Sequence, residues 1–462
     1  MMKHGKAGAL SGYHRSLTAS HGFEPVRVEG KLPDMLRGTL FRNGPALFEH
    51  GGRRHGHVFE GDGAVCAVRF SDEAVECAHR LIESVGLQQE REAGEALFGS
   101  AAPWLRRMRN GWKQKFKNTA NTSVWRWQDR LFALMERGEP TEFDPETLDT
   151  IGTTTLDGLV AGGFSAHPHR VKYRRADYNF GLVPGRNPYI QLMELPWEGA
   201  PRTIGRIDLD HYVMMHDFIA TENHLVFFIA PVKLQILRAL LGSNNLEKLF
   251  QFDPDSGTEI VIVPTSSPAE QVRFQVDAFW QWHFAGAYEQ GSGIVVDFVK
   301  HPDFGSLGEL GQTQRSGLGR LTRAFIDPAT RTMREEPLWD CACEYPRIDP
   351  RFDGGKHSHI FVSYDVCERV LARVNTTTGA VNGWNPPAHQ YPSELVMIPR
   401  SNRTDEGDGY AISLIYDELE DRSHVAILDT ARFEDGPVAR VHLGHPVPMT
   451  FHGTWVPDGD DR

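Results

Sequence analysis

Cysteine is scarce. The 462-residue chain has five (Cys66, Cys77, Cys341, Cys343 and Cys367), an odd number with no CxxC pair. That excludes a disulfide framework and a cysteine-based zinc module, and it fits a reducing compartment where thiols need no partner. Long apolar runs are missing as well. No segment approaches the roughly 20 apolar residues of a membrane-spanning helix; the best, residues 225–232, is interrupted by Pro231. The N-terminus, MMKHGKAGALSGYHRS, has no apolar stretch behind its basic residues. No signal peptide is expected, and the cytoplasm is the expected location. There is no long basic block either, and 49 Lys and Arg against 61 Asp and Glu leave a net charge of −12. That balance speaks against nucleic acid as a partner. Gly (45) and Pro (28) are too few for a collagen-like or disordered chain. Histidine, by contrast, is plentiful at 21 residues, more than packing or solubility asks for.

Strand-like runs dominate, for example 225–229, 259–263, 293–299, 359–362, 410–416 and 424–428. They are short, rich in Val, Ile and Phe, and mostly bounded by Gly, Pro, Ser, Asp or Asn, which predicts an antiparallel all-β protein. Two stretches read as helices instead. Residues 101–117 are basic and studded with Trp, Leu, Met and Phe, and residues 232–250 carry leucines at helical spacing around Gly242. An apolar residue, Asp or Asn, then Pro or Thr recurs at Asp144, Asp253, Asp327, Asn375 and Asp429. Each reads as a turn closing a hairpin. The intervals suit one or two units of roughly 50–60 residues, the size of a four-stranded propeller blade with generous loops. The pattern favours a propeller, with a sandwich or mixed fold as the alternative. No convincing linker interrupts it, so one domain spanning 1–462 is expected, with 1–30 as an irregular arm.

Four histidines sit in apolar or turn-like contexts: His167 (SAHPHR), His216 (MMHDFIAT), His283 (QWHFAGAYE) and His452 (TFHGTWVP). Their spacings of 49, 67 and 169 residues are close to one, one and three blades. If each begins an inner strand, all four point at the central axis, and converging imidazoles suit Fe, Zn or Cu. A lone histidine of this kind is more often a hydrogen-bonded core residue. The pairs His55/His57 and His357/His359 read as structural, and His169 as a neighbour of a ligand. Metal-bound histidine usually gives its second N–H to a carboxylate. Glu136 (ALMERGEP), Glu344 (CACEYPRID) and Glu394 (YPSELVMIPR) lie in apolar settings that suit this role.

Together with LRGTLFRNGP (36–45), HVFEGDG (57–63) and KNTANTSV (117–124), these motifs resemble the carotenoid cleavage oxygenases over nearly the whole chain. The resemblance implies an all-β, seven-bladed β-propeller with a few capping helices. It implies one Fe(II) per chain held by His167, His216, His283 and His452, with Glu136, Glu344 and Glu394 behind three of them. Thr122 matches a threonine that crowds an open iron position. The implied reaction uses O2 to split a C=C bond of a hydrophobic polyene into two carbonyl products. Two departures stand out: Gly286 replaces a usual Asn, and HVFEGDG lacks the usual Trp and has Glu60 for Asp. The stilbene-cleaving branch carries Lys just before the first glutamate, where this chain has Met135, which favours a carotenoid or apocarotenoid over a stilbenoid or phenylpropenoid. An isomerohydrolase and a non-catalytic binding propeller are the remaining alternatives. A membrane-held substrate implies peripheral membrane contact, on the inner face, through 101–117 (Trp104, Leu105, Met108, Trp112, Phe116) and 232–250 (Leu234, Ile236, Leu237, Leu240, Leu241).

Overall fold

The computed structural model describes residues 12–309, 319–364 and 370–459; Cys367 lies outside them. Its strands form seven antiparallel sheets of four or more strands, the blades of a seven-bladed β-propeller, with two small two-stranded sheets beside them. Blade 2 is Ser123–Trp127, Arg130–Leu134, Thr141–Phe143 and Thr150–Thr153, in simple up-and-down order. Blade 3 runs from His169–Val171 to Arg202–Asp208, blade 4 from Ile219–Ala220 to Val272–Val276, and blade 5 from Trp280–Gln290 to Thr332–Ala342. Blade 6 runs from Glu344–Ile348 to Val381–Trp384, and blade 7 is built on Gly409–Asp417, Arg422–Asp429 and Pro437–His442. Blade 1 closes the ring: Gly453–Pro457, at the C-terminal end, pairs with Gly38–Leu47 near the N-terminal end. The expected irregular arm also contributes edges. His21–Pro25 pairs onto blade 1, and Arg27–Gly30 onto blade 7.

The recurring Asp/Asn signal marks a definite place. Asp144 directly follows the third strand of its blade, and Asp327, Asn375 and Asp429 each end the third strand of theirs, at the turn into the fourth. Asp144, Asp327 and Asn375 each accept from the backbone N–H groups two and three residues on, at 2.8–3.2 Å. A short side-chain acceptor that satisfies two turn donors is why Asp and Asn recur there. Asp253 departs from this. It lies after the small sheet of Val232–Leu234 and Phe250–Phe252, and its carboxylate takes Lys233 Nζ and Ser256 Oγ instead.

The first helical expectation holds as Trp104–Trp112. The second does not: 232–250 contains a strand, a short helix Ile236–Leu240, and a second strand. Gly242, at φ +71°, stops the helix, and pairing of Val232–Leu234 with Phe250–Phe252 wins over helical propensity. Helix Val85–Ala93, capped by Ser84 and Gly94, carries no strong apolar periodicity that would mark it in the sequence.

Candidate metal centre

His167 stands two residues before the first strand of blade 3, and His216 three before that of blade 4. His283 lies within the first strand of blade 5, and His452 directly precedes the closing strand of blade 1. A bulge re-aims His283: Gln281 pairs with Lys300 and Phe284 with Phe298, so Trp282 and His283 share one place opposite Val299. His167 Nε2 is 3.1 Å from His216 Nε2, which is 3.2 Å from His283 Nε2, itself 3.1 Å from His452 Nε2. All four atoms lie within 4.8 Å of one another.

On three of the rings the far side sets the tautomer. His216 Nδ1 donates to Glu136, His283 Nδ1 to Glu344 Oε2 at 2.6 Å, and His452 Nδ1 to Glu394 Oε1 at 2.9 Å. A proton on Nδ1 leaves Nε2 with a bare lone pair. Three such lone pairs crowded on one point repel unless a cation joins them. Nitrogens about 2.1 Å from a common centre lie roughly 3.0–3.4 Å apart at octahedral or tetrahedral angles, which the observed spacings match. The donor set therefore fits a divalent ion that accepts imidazole, Fe(II) among them.

Burial and neighbouring charge act differently on individual members of the site. Burial, then the other three histidines, holds His167 well below the usual range. Burial also lowers His452, to about 4, against the pull of Glu394. For His216, burial is outweighed by the charge and hydrogen bond of Glu136, and protonation becomes easier. Burial works against ionisation of Glu344 and Glu394 too, yet both stay well below the ordinary carboxylate range. His283 and His301 hold Glu344 there, and Arg347, His452 and Arg42 hold Glu394.

Each glutamate has different support. Glu394 is 1% exposed and also accepts from Arg42 Nη1 (2.7 Å) and Gly453 N (2.9 Å); Arg42 is itself 2% exposed. Glu344 accepts from His301 Nε2 at 2.6 Å. Tyr345 adopts φ +52°, a conformation that costs a non-glycine residue about 1–3 kcal/mol. Its N–H bonds Glu344 at 2.9 Å and its ring stacks on His283, which hold it there. Thr122 is buried; its carbonyl accepts from His452 N (3.1 Å), and its hydroxyl donates to Asn121 Oδ1. Arg42 lies inside LRGTLFRNGP, but nothing in that motif announces a partner 352 residues away.

The departures also find their places. A side chain at Gly286 would strike the buried ring of His357, which bonds Asp297 at 2.9 Å. His57 caps a short helical turn at 58–60. A second group of possible ligands, His50, Asp62 and Glu90, surrounds Lys117. Its ammonium is 2.6 Å from Asp62 and 2.5 Å from Glu90, so the chain supplies the cation there itself.

The family profile described as retinal pigment epithelial membrane protein, RPE65, matches residues 16–457. The chain is 30% identical to the apocarotenoid-15,15'-oxygenase of Synechocystis sp., over 93% of this chain and 92% of that one. It is 27% identical to the isoeugenol monooxygenase of Pseudomonas putida, over 93% and 94%. The crystal structure of the cobalt-substituted Synechocystis apocarotenoid oxygenase superimposes with a TM-score of 0.88 at 28% identity, covering 96% of this chain and 98% of that one.

Proposed function

This chain belongs to the RPE65/carotenoid cleavage oxygenase family, and from that premise we propose that it is a non-haem Fe(II) dioxygenase cleaving a C=C bond of a carotenoid or apocarotenoid into two carbonyl products. The observation that carries this reading is the set of four Nε2 atoms gathered within 4.8 Å, three of them backed by glutamates. His167, His216, His283 and His452 would hold the iron, which supplies the one-electron chemistry that O2 and an alkene need to react. Glu136, Glu344 and Glu394 keep the Nδ1 protons in place, so that Nε2 stays free to bind, and they offset the positive charge. Thr122, which carries the backbone acceptor of His452, is assigned to crowding one side of the centre.

The aromatic side chains beside the histidines suit a polyene. Trp282 meets His216 edge-on at 4.9 Å, and Phe59 touches both Trp282 and Phe451. Such faces bind by apolar contact and leave selection of one bond among many to position. At the position of the phenol-reading Lys stands Met135, whose sulfur accepts from Thr119 N at 3.3 Å. Met135 itself offers a phenolate no positive charge. The isoeugenol monooxygenase keeps the phenylpropenoid reading as the second one.

Seven apolar side chains on two touching segments are 48–71% exposed: Trp104, Leu105, Trp112, Phe116, Ile236, Leu237 and Leu241. Trp104 Nε1 donates to Leu241 O, and Arg107 Nε to Gly242 O, fastening the segments into one patch. Phe116 lies under the Arg137 guanidinium, next in sequence to Glu136, so the patch reaches the neighbourhood of the metal centre. Arg106, Arg109 and Lys113 flank it. We assign this patch to peripheral contact with a lipid surface from which substrate is drawn. Among the described residues no helix is long and apolar enough to cross a membrane.

The test is aerobic incubation of the iron-loaded protein with a long-chain apocarotenal and, separately, with resveratrol, with products read by mass. Two carbonyl fragments from the polyene alone support the reading, and their masses locate the bond. Cleavage of resveratrol alone transfers the protein to the second reading. His216→Ala should retain no iron; full iron content and activity in that variant would overturn the assignment of the centre.

A further inference from the structure

Asp217 follows the ligand His216 and is 2% exposed. Its carboxylate makes three hydrogen bonds. Oδ1 accepts from His169 Nε2 at 2.8 Å and from the N–H of Phe218 at 2.8 Å, and Oδ2 accepts from the N–H of Phe284 at 3.1 Å. His169 opens the first strand of blade 3, two residues after His167. Phe284 belongs to the bulged strand of blade 5, one residue after His283. One buried carboxylate therefore joins the three consecutive segments that carry His167, His216 and His283.

His167 has most to gain from this joint. Its three fellow ligands each have a glutamate behind the ring, while among the described residues no side chain accepts from His167 Nδ1. Its backbone is fastened instead: its N–H donates to Ser165 Oγ at 3.1 Å on one side, and His169 binds Asp217 on the other. The His169 ring is held in turn, edge-on against Phe218 at 5.0 Å. A ligand whose Nδ1 no described side chain holds keeps its aim best if its backbone is fixed to the rest of the set. Ligand spacings near 3 Å leave little slack for one blade to shift against the next.

We propose that Asp217 is a positioning residue of the metal centre, and that the His169–Asp217 bond replaces, through the backbone, the carboxylate support that His167 lacks. This rests on the reading that the four histidines hold a metal. The joint fixes the blade 3, 4 and 5 ligands relative to one another, while Glu136, Glu344 and Glu394 each orient a single ring.

The experiment titrates Co(II) into metal-free wild type, His169→Leu, His169→Gln and Asp217→Ala, reading the ligand-field absorption, and records the thermal midpoint of each metal-free protein. The His169 side chain is 21% exposed, so His169→Leu breaks the bond without emptying a core site. It should bind Co(II) roughly ten- to a hundredfold more weakly, the usual effect of losing an outer partner of a metal site. Its absorption should change, while its metal-free midpoint stays within about 2 °C of wild type. His169→Gln keeps an N–H donor and should recover most of the affinity; Asp217→Ala should lose at least as much as His169→Leu. Wild-type affinity and spectrum in His169→Leu would overturn the inference. So would a metal-free midpoint that falls in step with affinity and is not restored by Gln. A wild type that binds no Co(II) would overturn the metal-site reading itself, and the inference with it.

Discussion

Replacing Glu394 with Gln should damage this protein twice, and the two losses can be separated. In the native site, Oε1 accepts from His452 Nδ1, while Oε2 accepts from Arg42 Nη1 and Gly453 N. Gln has one acceptor oxygen and one donor nitrogen, so it can satisfy only one side. If its oxygen serves Arg42 and Gly453, its NH2 faces His452 Nδ1, and the imidazole must move its proton to Nε2, which then cannot bind metal. If its oxygen serves His452, the NH2 confronts the guanidinium and a backbone N–H. Either way Arg42, 2% exposed, loses the carboxylate 2.7 Å from its Nη1. Breaking a buried ion pair on one side costs about 3–5 kcal/mol. At an unfolding entropy of about 2.1 cal/mol/K per residue, a chain of this length loses roughly 3–5 °C of thermal midpoint. Glu136 is the control. Its side chain is 16% exposed and, among the described residues, it pairs with His216 alone, so Glu136→Gln should cost about tenfold in metal affinity with little stability. Calorimetry of the metal-free variants and metal content by mass spectrometry read both effects. An unchanged midpoint and metal content in Glu394→Gln, or an equal loss of stability in Glu136→Gln, would refute the reasoning.

Lys117→Met should destabilise the fold by about 3–5 kcal/mol, because it strands the buried Asp62 and Glu90 carboxylates without their cation; a denaturant midpoint equal to wild type would contradict this. Burial pushes His424 down to about 4, and among the described residues its Nε2 has no hydrogen-bond partner. The folded value lies below the unfolded one near 6.5, so the unfolded chain takes the proton first. Stability is full above about pH 6.5 and falls as pH drops to about 4, by about 3 kcal/mol from this group. His424→Phe should flatten that slope, and an identical slope in the variant would count against it. Leu105→Ser with Leu237→Ser should weaken binding to anionic vesicles at least tenfold, since each leucine contributes about 1.5–3 kcal/mol when it leaves water. Sedimentation unchanged by the double substitution would remove the patch from the account.

Local signals were legible in the chain itself. The strands at 225–229, 259–263 and 410–416 appear within His224–Ile229, Thr258–Pro264 and Gly409–Asp417, because alternation, β-branched content and turn residues act over a few positions. Asp144, Asp327 and Asn375 close hairpins through bonds two and three residues away, so they too could be read in sequence order. The histidine and glutamate motifs were visible as candidates by residue type and context. What each one touches was not. Glu136 reaches His216 across 80 residues, Arg42 reaches Glu394 across 352, and His169 meets Asp217 across 48. The leucines of 232–250 suggested a long helix, yet strand pairing broke it. Val85–Ala93, Lys117 among its carboxylates, and closure of the ring by Gly453–Pro457 gave no local sign. The division has one cause: turn chemistry and residue pattern are properties of neighbours in the chain. Which donors meet which acceptors, and so which nitrogens stay free for a metal, is decided only when seven blades close around a common axis.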